Sequence, residues 1–194
     1  GGLCIADEVQ SGFGRMGDHF WGYQHHGVTP DFVTIGKPAG NGHPIGVVLT
    51  RPEILDHFLN ETAFFSTFGG NNVSCAAGLA VLDEIRDRDL LTNAKATGER
   101  FKAGLLRLKE RFPIIGDIRG MGLVFGMELV SDRQTLAPAQ GETDRLLGLM
   151  RDEGLLAGSE GVHGNIVKMR PPLVFDQANC DLALAALEQS LSRL

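Results

Sequence analysis

The spacing of glycine and proline divides this chain into three textures, and that division limits its fold more than any single motif does. Up to Thr50 the apolar runs are short: "GLCIADEV", "FVTIGK" and "IGVVLT", each cut off by Gly, Pro or charge. Runs of that length between breakers are strand-sized. "RPEILDHFLN" follows, with Pro52 at a first helical position and Ile54, Leu55, Phe58 and Leu59 at helical spacing. From Ser74 to Phe112 no proline occurs. Leu79, Leu82 and Ile85 form one apolar stripe there, and Phe101, Leu105, Leu108 and Phe112 form another. "RDRD" marks the break between two helices, and Pro113 ends the run. Beyond it, "IIGDIRGMGLVFGMELV" is a glycine-punctuated strand pair, and Thr143 to Glu153 is a short helix closed by Gly154. "IVKMRPPLVF" is extended, and Asn179 to Leu194 is an amphipathic helix with Leu184, Leu187, Leu191 and Leu194 on one face. This order predicts an α/β chain: a half-sheet, residues 1–88, followed by a smaller α+β unit, residues 89–194.

Bulk properties exclude several functions. The net charge of -6 over 194 residues argues against a nucleic-acid partner, which needs clustered Lys and Arg. No apolar run approaches a membrane span. Cys4, Cys75 and Cys180 are widely spaced with no C-x-x-C, so reduced thiols and a cytoplasmic setting are expected. The opening "GGLCIADEV" lacks the basic start of a secretory signal. It enters core-like sequence at once, the pattern expected of a chain without its N-terminal part.

Gly12, Gly14 and Gly17 spell G-x-G-x-x-G after the first strand. A dinucleotide loop needs a long helix opening at its third glycine. "DHFWGYQHHGVTP" follows instead, with Gly22, Gly27 and Pro30, so these glycines are expected only to shape a tight loop. His25 and His26 are adjacent and rarely would point at one ion, so no metal is expected. Trp21 and Tyr23 are expected to cover core.

Asp7 and Lys37 carry more chemistry. Each ends a short apolar strand, and open α/β sheets bind ligands at the carboxyl ends of their strands. A buried strand-end carboxylate calls for a cationic partner. Pyridoxal phosphate uses such a pair: a lysine amine forms a Schiff base with it, and a carboxylate pairs with its pyridinium nitrogen. Low-polarity surroundings would depress the lysine pKa. A strand-end aspartate also caps loops, and lysine is a common surface charge, so the residues alone leave both readings open.

Five segments in order resemble the class III (omega) aminotransferases, of fold type I among pyridoxal-phosphate enzymes. They are "CIADEVQSGFGRMG", "DFVTIGKPAGNGHPIG", "FSTFGGNNVSCAAGLAVLD", "IRGMGLVFGMELV" and "KMRPPLVF". The resemblance covers essentially the whole chain, but only the C-terminal half of the family's length. It implies part of the large mixed-sheet domain plus the small C-terminal domain. It implies that Asp7 pairs with the pyridinium nitrogen, Val9 packs on the ring and Gln10 bonds near the ring hydroxyl. Lys37 would be the Schiff-base lysine and general base, and Thr67 would donate to the cofactor phosphate across a dimer interface. Arg170 would grip a substrate carboxylate. No direct chemical role is implied for Glu8. The phosphate cup and the stacking aromatic belong to the other half of the family's length, so the isolated chain is expected to bind pyridoxal phosphate weakly. Asn72 stands where many relatives carry proline. The expected activity is transfer of an amino group from an amine or amino acid to a 2-oxo acid, by a homodimer or higher homo-oligomer. The wording around Ala76 leans towards the alanine–glyoxylate aminotransferase and amino-alcohol-phosphate phospholyase branch, so a phospholyase is the alternative. A half-chain that only dimerises is the non-catalytic one.

Overall fold

A computed structural model describes residues 1–194. The chain separates into two compact units, Gly1–Leu91 and Thr92–Leu194.

The first unit holds a mixed three-stranded sheet, β1 (Ile5–Asp7), β2 (Phe32–Ile35) and β3 (Val47–Thr50), in that spatial order. β1 pairs with β2 in parallel, Ile5 beside Phe32 and Asp7 beside Thr34. β3 returns antiparallel to β2. Helix α1 (Pro52–Glu61) begins at Pro52, whose fixed φ and missing N–H suit a first helical position. Helix α2 (Asn72–Asp87) is capped by Asn71, whose side chain accepts the Ser74 amide.

Two expectations for this unit are corrected. β1 is parallel, as its apolar character suggested, but it is not buried, with Ile5 63% exposed. On α2 only Ile85 is buried, while Leu79 and Leu82 are exposed. Periodicity creates an apolar face; burying it requires a second element, and this chain supplies none over that face.

The second unit is antiparallel throughout. Helix α3 (Leu90–Arg111) leads into it and packs on a sheet of β4 (Ile115–Met121), β5 (Val124–Asp132), β8 (Ile166–Met169) and β7 (Gly158–Glu160), in that order. The short β6 (Ala137–Pro138) pairs with β5. Helices α4 (Gln140–Asp152) and α5 (Gln177–Ser192) complete it. Alternation along β5 buries Phe125, Met127 and Leu129. Against them pack Phe101, Leu105 and Leu108 of α3, Leu146 and Met150 of α4, and Leu187 and Leu191 of α5. The two predicted helical stripes of this unit are therefore its core. α4 begins three residues before Thr143. Gly154 terminates it at φ +86°, a left-handed value that favours glycine. Asp176 caps α5 by accepting the Asn179 amide. All three cysteines are free, and burial pushes the Cys180 thiol up.

Polar ties fix α3. Asn93 donates to the carbonyls of Leu173 (2.7 Å) and Phe175 (3.0 Å), fastening the diproline segment to the helix. At Gly98 the helix meets the β4–β5 turn so closely that a Cβ would lie 2.0 Å from the Gly122 carbonyl oxygen. Gly98→Ala should therefore lower stability by about 1–3 kcal/mol, the usual cost of overpacking, read as a drop in urea midpoint.

Asp117 accepts from Arg119 at 2.8 Å and Lys109 at 3.3 Å. Burial pushes its carboxyl up, but these two donors outweigh burial and hold it below its ordinary value of 3.8. The folded value is the lower one, so the stabilisation is present above the unfolded value and is lost as pH falls through the folded one. Asp117→Asn should flatten the fall of the urea midpoint between about pH 5 and pH 2.

Candidate active site

Parallel pairing of β1 with β2 sets Asp7 and Lys37 at the same edge of one sheet. Asp7 is opposite Thr34, and Lys37 follows three residues later, where a short 3-10 turn, Lys37–Ala39, begins. Paired strands lie about 4.8 Å apart, so both side chains leave from neighbouring carboxyl ends. One oxygen of Asp7 accepts the Val9 amide at 3.1 Å, and the other is uncommitted. Lys37 makes no ion pair, with Asp7 or any other carboxylate. Val9 lies over Gly36: a Cβ there would sit 3.6 Å from both Val9 methyl groups. Gln10 is exposed beside them.

Within this chain Asp7 and Lys37 are both exposed, so the low-polarity surroundings expected of the pair are not formed by these residues alone.

The loop after β1 explains its glycines. Gly14 (φ +77°) and Gly17 (φ +89°) take left-handed values, and a Cβ on Gly14 would meet Leu91 at 2.5 Å. No helix opens at Gly17; the next element is a 3-10 turn, Gly22–His26. Phe13, Phe20 and Trp21 pack edge-on and tilted against one another above it. Beside that cluster Glu8 is 2% exposed, its carboxylate accepting the amides of Gly22 (2.8 Å) and Tyr23 (2.7 Å) and the Ser11 hydroxyl (3.0 Å).

Sequence reasoning missed His43. It lines an open recess with Lys37, Gly42, Pro44, Ile45 and Gly46, and its Nε2 lies 2.8 Å from Ser74 Oγ. Nothing local signals this contact, since the two residues are separated by 31 positions. It ties the lysine loop to α2.

Thr67 and Arg170 are distant from this edge in sequence. Thr67 lies on the segment 61–71, every residue of which is exposed. The turn there is built by Ser66, whose Oγ accepts the Gly69 amide at 3.0 Å. Arg170 belongs to the second unit, directly after β8. Its guanidinium is 3.9 Å from Glu160, a loose pairing, and it borders an apolar cavity lined by Phe101, Met150, Leu156 and Phe175.

A parallel-strand edge bearing an uncommitted carboxylate and an unpaired primary amine is an arrangement that can accept an electron-accepting cofactor. Residues 1–191 match the family Aminotransferase class-III, and the chain belongs to that family, whose members are pyridoxal-phosphate-dependent enzymes of fold type I. Alanine–glyoxylate aminotransferase 2 homolog 2, mitochondrial, of Arabidopsis thaliana is 48% identical over 194 residues, covering 100% of this chain and 40% of the relative. Ethanolamine-phosphate phospho-lyase homolog 1 of Caenorhabditis elegans is 44% identical, covering 99% of this chain and 42% of the relative. A phospholyase from Arthrobacter in complex with phosphoethanolamine superposes with a TM-score of 0.96 at 47% identity, over 100% of this chain and 46% of that one. An S-selective transaminase from Arthrobacter with alanine bound gives 0.86 at 30% identity, over 98% and 44%. The chain thus spans less than half the length of these relatives.

The residues present fit pyridoxal phosphate. The free Asp7 oxygen is an acceptor for a ring N–H, the Lys37 amine is available for covalent attachment, and Val9 offers an apolar contact between them. The tight turn after Lys37 is fixed by Gly40, where a Cβ would lie 2.0 Å from the His43 carbonyl oxygen. Gly40→Ala should displace that turn, lowering the urea midpoint by the equivalent of about 1–3 kcal/mol.

Proposed function

We propose that the whole protein moves an amino group from an amine or amino acid to a 2-oxo acid. The placement of Asp7 and Lys37 on the ends of neighbouring parallel strands carries this reading. When bound, pyridoxal phosphate supplies a ring that accepts electrons from the amine-bearing carbon. Asp7 would keep the ring nitrogen protonated by accepting its N–H, and Val9 and Gln10 would hold the orientation of the ring. The Lys37 amine would hold the cofactor covalently and, once released, would be the base that takes the proton from the amine-bearing carbon of the substrate. Arg170 is assigned to the carboxylate of the substrate, because a guanidinium held only loosely by Glu160 can exchange that partner. Thr67 is assigned to the cofactor phosphate of a second subunit in a homodimer or higher oligomer, a role supported by the exposure of its whole segment.

A second reading, elimination of phosphate from an amino-alcohol phosphate, is favoured by one observation. The phospholyase with phosphoethanolamine shares 47% identity with this chain, against 30% for the S-selective transaminase. In that reading Arg170 receives a phosphate instead of a carboxylate.

The full-length protein should be incubated with amine-labelled alanine plus a 2-oxo acid, and separately with phosphoethanolamine. Transfer of the label into a new amino acid, with no inorganic phosphate released, is the expected result. Phosphate release without label transfer would overturn the aminotransferase reading in favour of the lyase. Lys37→Ala should reduce whichever activity is found by at least about a hundredfold, the scale of losing a general acid–base group.

A further inference from the structure

Glu8 is the one deeply buried carboxylate of the first unit, and the chemistry above does not use it. It follows Asp7 directly, and strand alternation sends the two side chains to opposite faces, Asp7 outward and Glu8 inward. A carboxylate 2% exposed is costly unless its lone pairs are filled. Here three donors fill them: the Gly22 amide at 2.8 Å, the Tyr23 amide at 2.7 Å and the Ser11 hydroxyl at 3.0 Å. Both amides open the 3-10 turn Gly22–His26, so Glu8 closes the long loop back onto the strand that it leaves. Space is reserved for this contact: a Cβ on Gly22 would lie 2.5 Å from Ser11 Cβ and 3.3 Å from Glu8 Oε2. The Glu8 amide in turn donates to the Thr34 carbonyl at 2.9 Å, prolonging the pairing of β1 with β2 by one residue. Asp7 is therefore pinned on both sides, by strand pairing before it and by the Glu8 clamp after it. Val9, whose amide holds Asp7 Oδ1, comes next in the chain and is pinned with it.

We propose that Glu8 is a positioning residue for the cofactor edge: its buried carboxylate locks the end of β1 so that the free oxygen of Asp7 holds one orientation towards the ring. Glutamine at this position would turn an NH2 group against one of three donors, leaving donor facing donor. Aspartate would be one methylene too short to reach the two amides from the same backbone. The inference rests on the reading of Asp7 as the partner of the ring nitrogen, and it goes beyond that reading by assigning the aim of Asp7 to its neighbour.

The test is a double-substitution cycle in the full-length protein, with Glu8→Gln, Asp7→Asn and both together. Pyridoxal phosphate affinity is read by equilibrium dialysis and stability by urea midpoint. Glu8→Gln should weaken cofactor binding by on the order of tenfold to a hundredfold, the range for a charge-assisted buried hydrogen bond removed. In the Asp7→Asn background the same change should cost less than about twofold, because the group it aims is already gone. The urea midpoint should fall equally in both backgrounds, since the clamp itself does not depend on Asp7. Ser11→Ala removes one donor and keeps the carboxylate, so it covers the case in which Glu8→Gln fails to fold. It should weaken binding by about two- to tenfold with Asp7 present, and negligibly with Asn at that position. Equal losses in both backgrounds, or unchanged affinity, would overturn the positioning role alone. Failure of the unsubstituted protein to bind pyridoxal phosphate would overturn it together with the functional reading.

Discussion

Parallel pairing between Ile5–Asp7 and Phe32–Ile35 is the constraint on which the rest of the site depends. A parallel ladder runs both strands in the same direction, so their carboxyl ends fall at one edge. Residues thirty positions apart are thereby placed at the same edge without any attraction between them. Asp7 and Lys37 need no mutual ion pair to meet; the backbone brings them there. That leaves one Asp7 oxygen and the Lys37 amine without a partner in this chain. The connection between the strands is held by the Glu8 carboxylate, and the turn after Lys37 by Gly40 and by the His43–Ser74 contact.

The second unit is built on different terms. Its stability lies in one apolar core shared by α3, α4, α5 and the antiparallel sheet, with polar groups recruited only at fixed joints such as Asn93. Surface ion pairs such as Arg100 with Asp181 are numerous, but exposed pairs contribute little each. The first unit has a small core by comparison, and many of its large apolar side chains, among them Phe64, Phe65 and Phe68, are exposed.

Much of this was legible in the residues. Short runs between breakers became strands, and Pro52, Asn71 and Gly154 ended or began helices as their backbone preferences require. The G-x-G-x-x-G match was dismissed for want of a following helix, and the loop indeed turns back instead. Asp7 and Lys37 stood out because charges at strand ends are few. Burial was the poorest inference. The Leu79–Ile85 stripe and the apolar β1 both promised a covered face, yet Leu79, Leu82 and Ile5 are exposed within this chain. Local sequence cannot tell whether a partner element exists. Glu8 was seen as part of a motif but not as a clamp, since its donors come from 14 and 15 residues away.

The sequence by itself determined the elements, their caps and breaks, and the family, and it singled out Asp7 and Lys37 as the candidate pair. All of these follow from local spacing and backbone preference, or from a run of motifs in order. Only the tertiary structure decided which groups are committed and which are free. It showed the Glu8 carboxylate saturated by loop amides, the neighbouring Asp7 left with an open oxygen, and His43 joined to Ser74 beside the lysine loop. Those outcomes depend on hydrogen-bond partners distant in sequence, and the geometry that unites them exists only once the strands have paired.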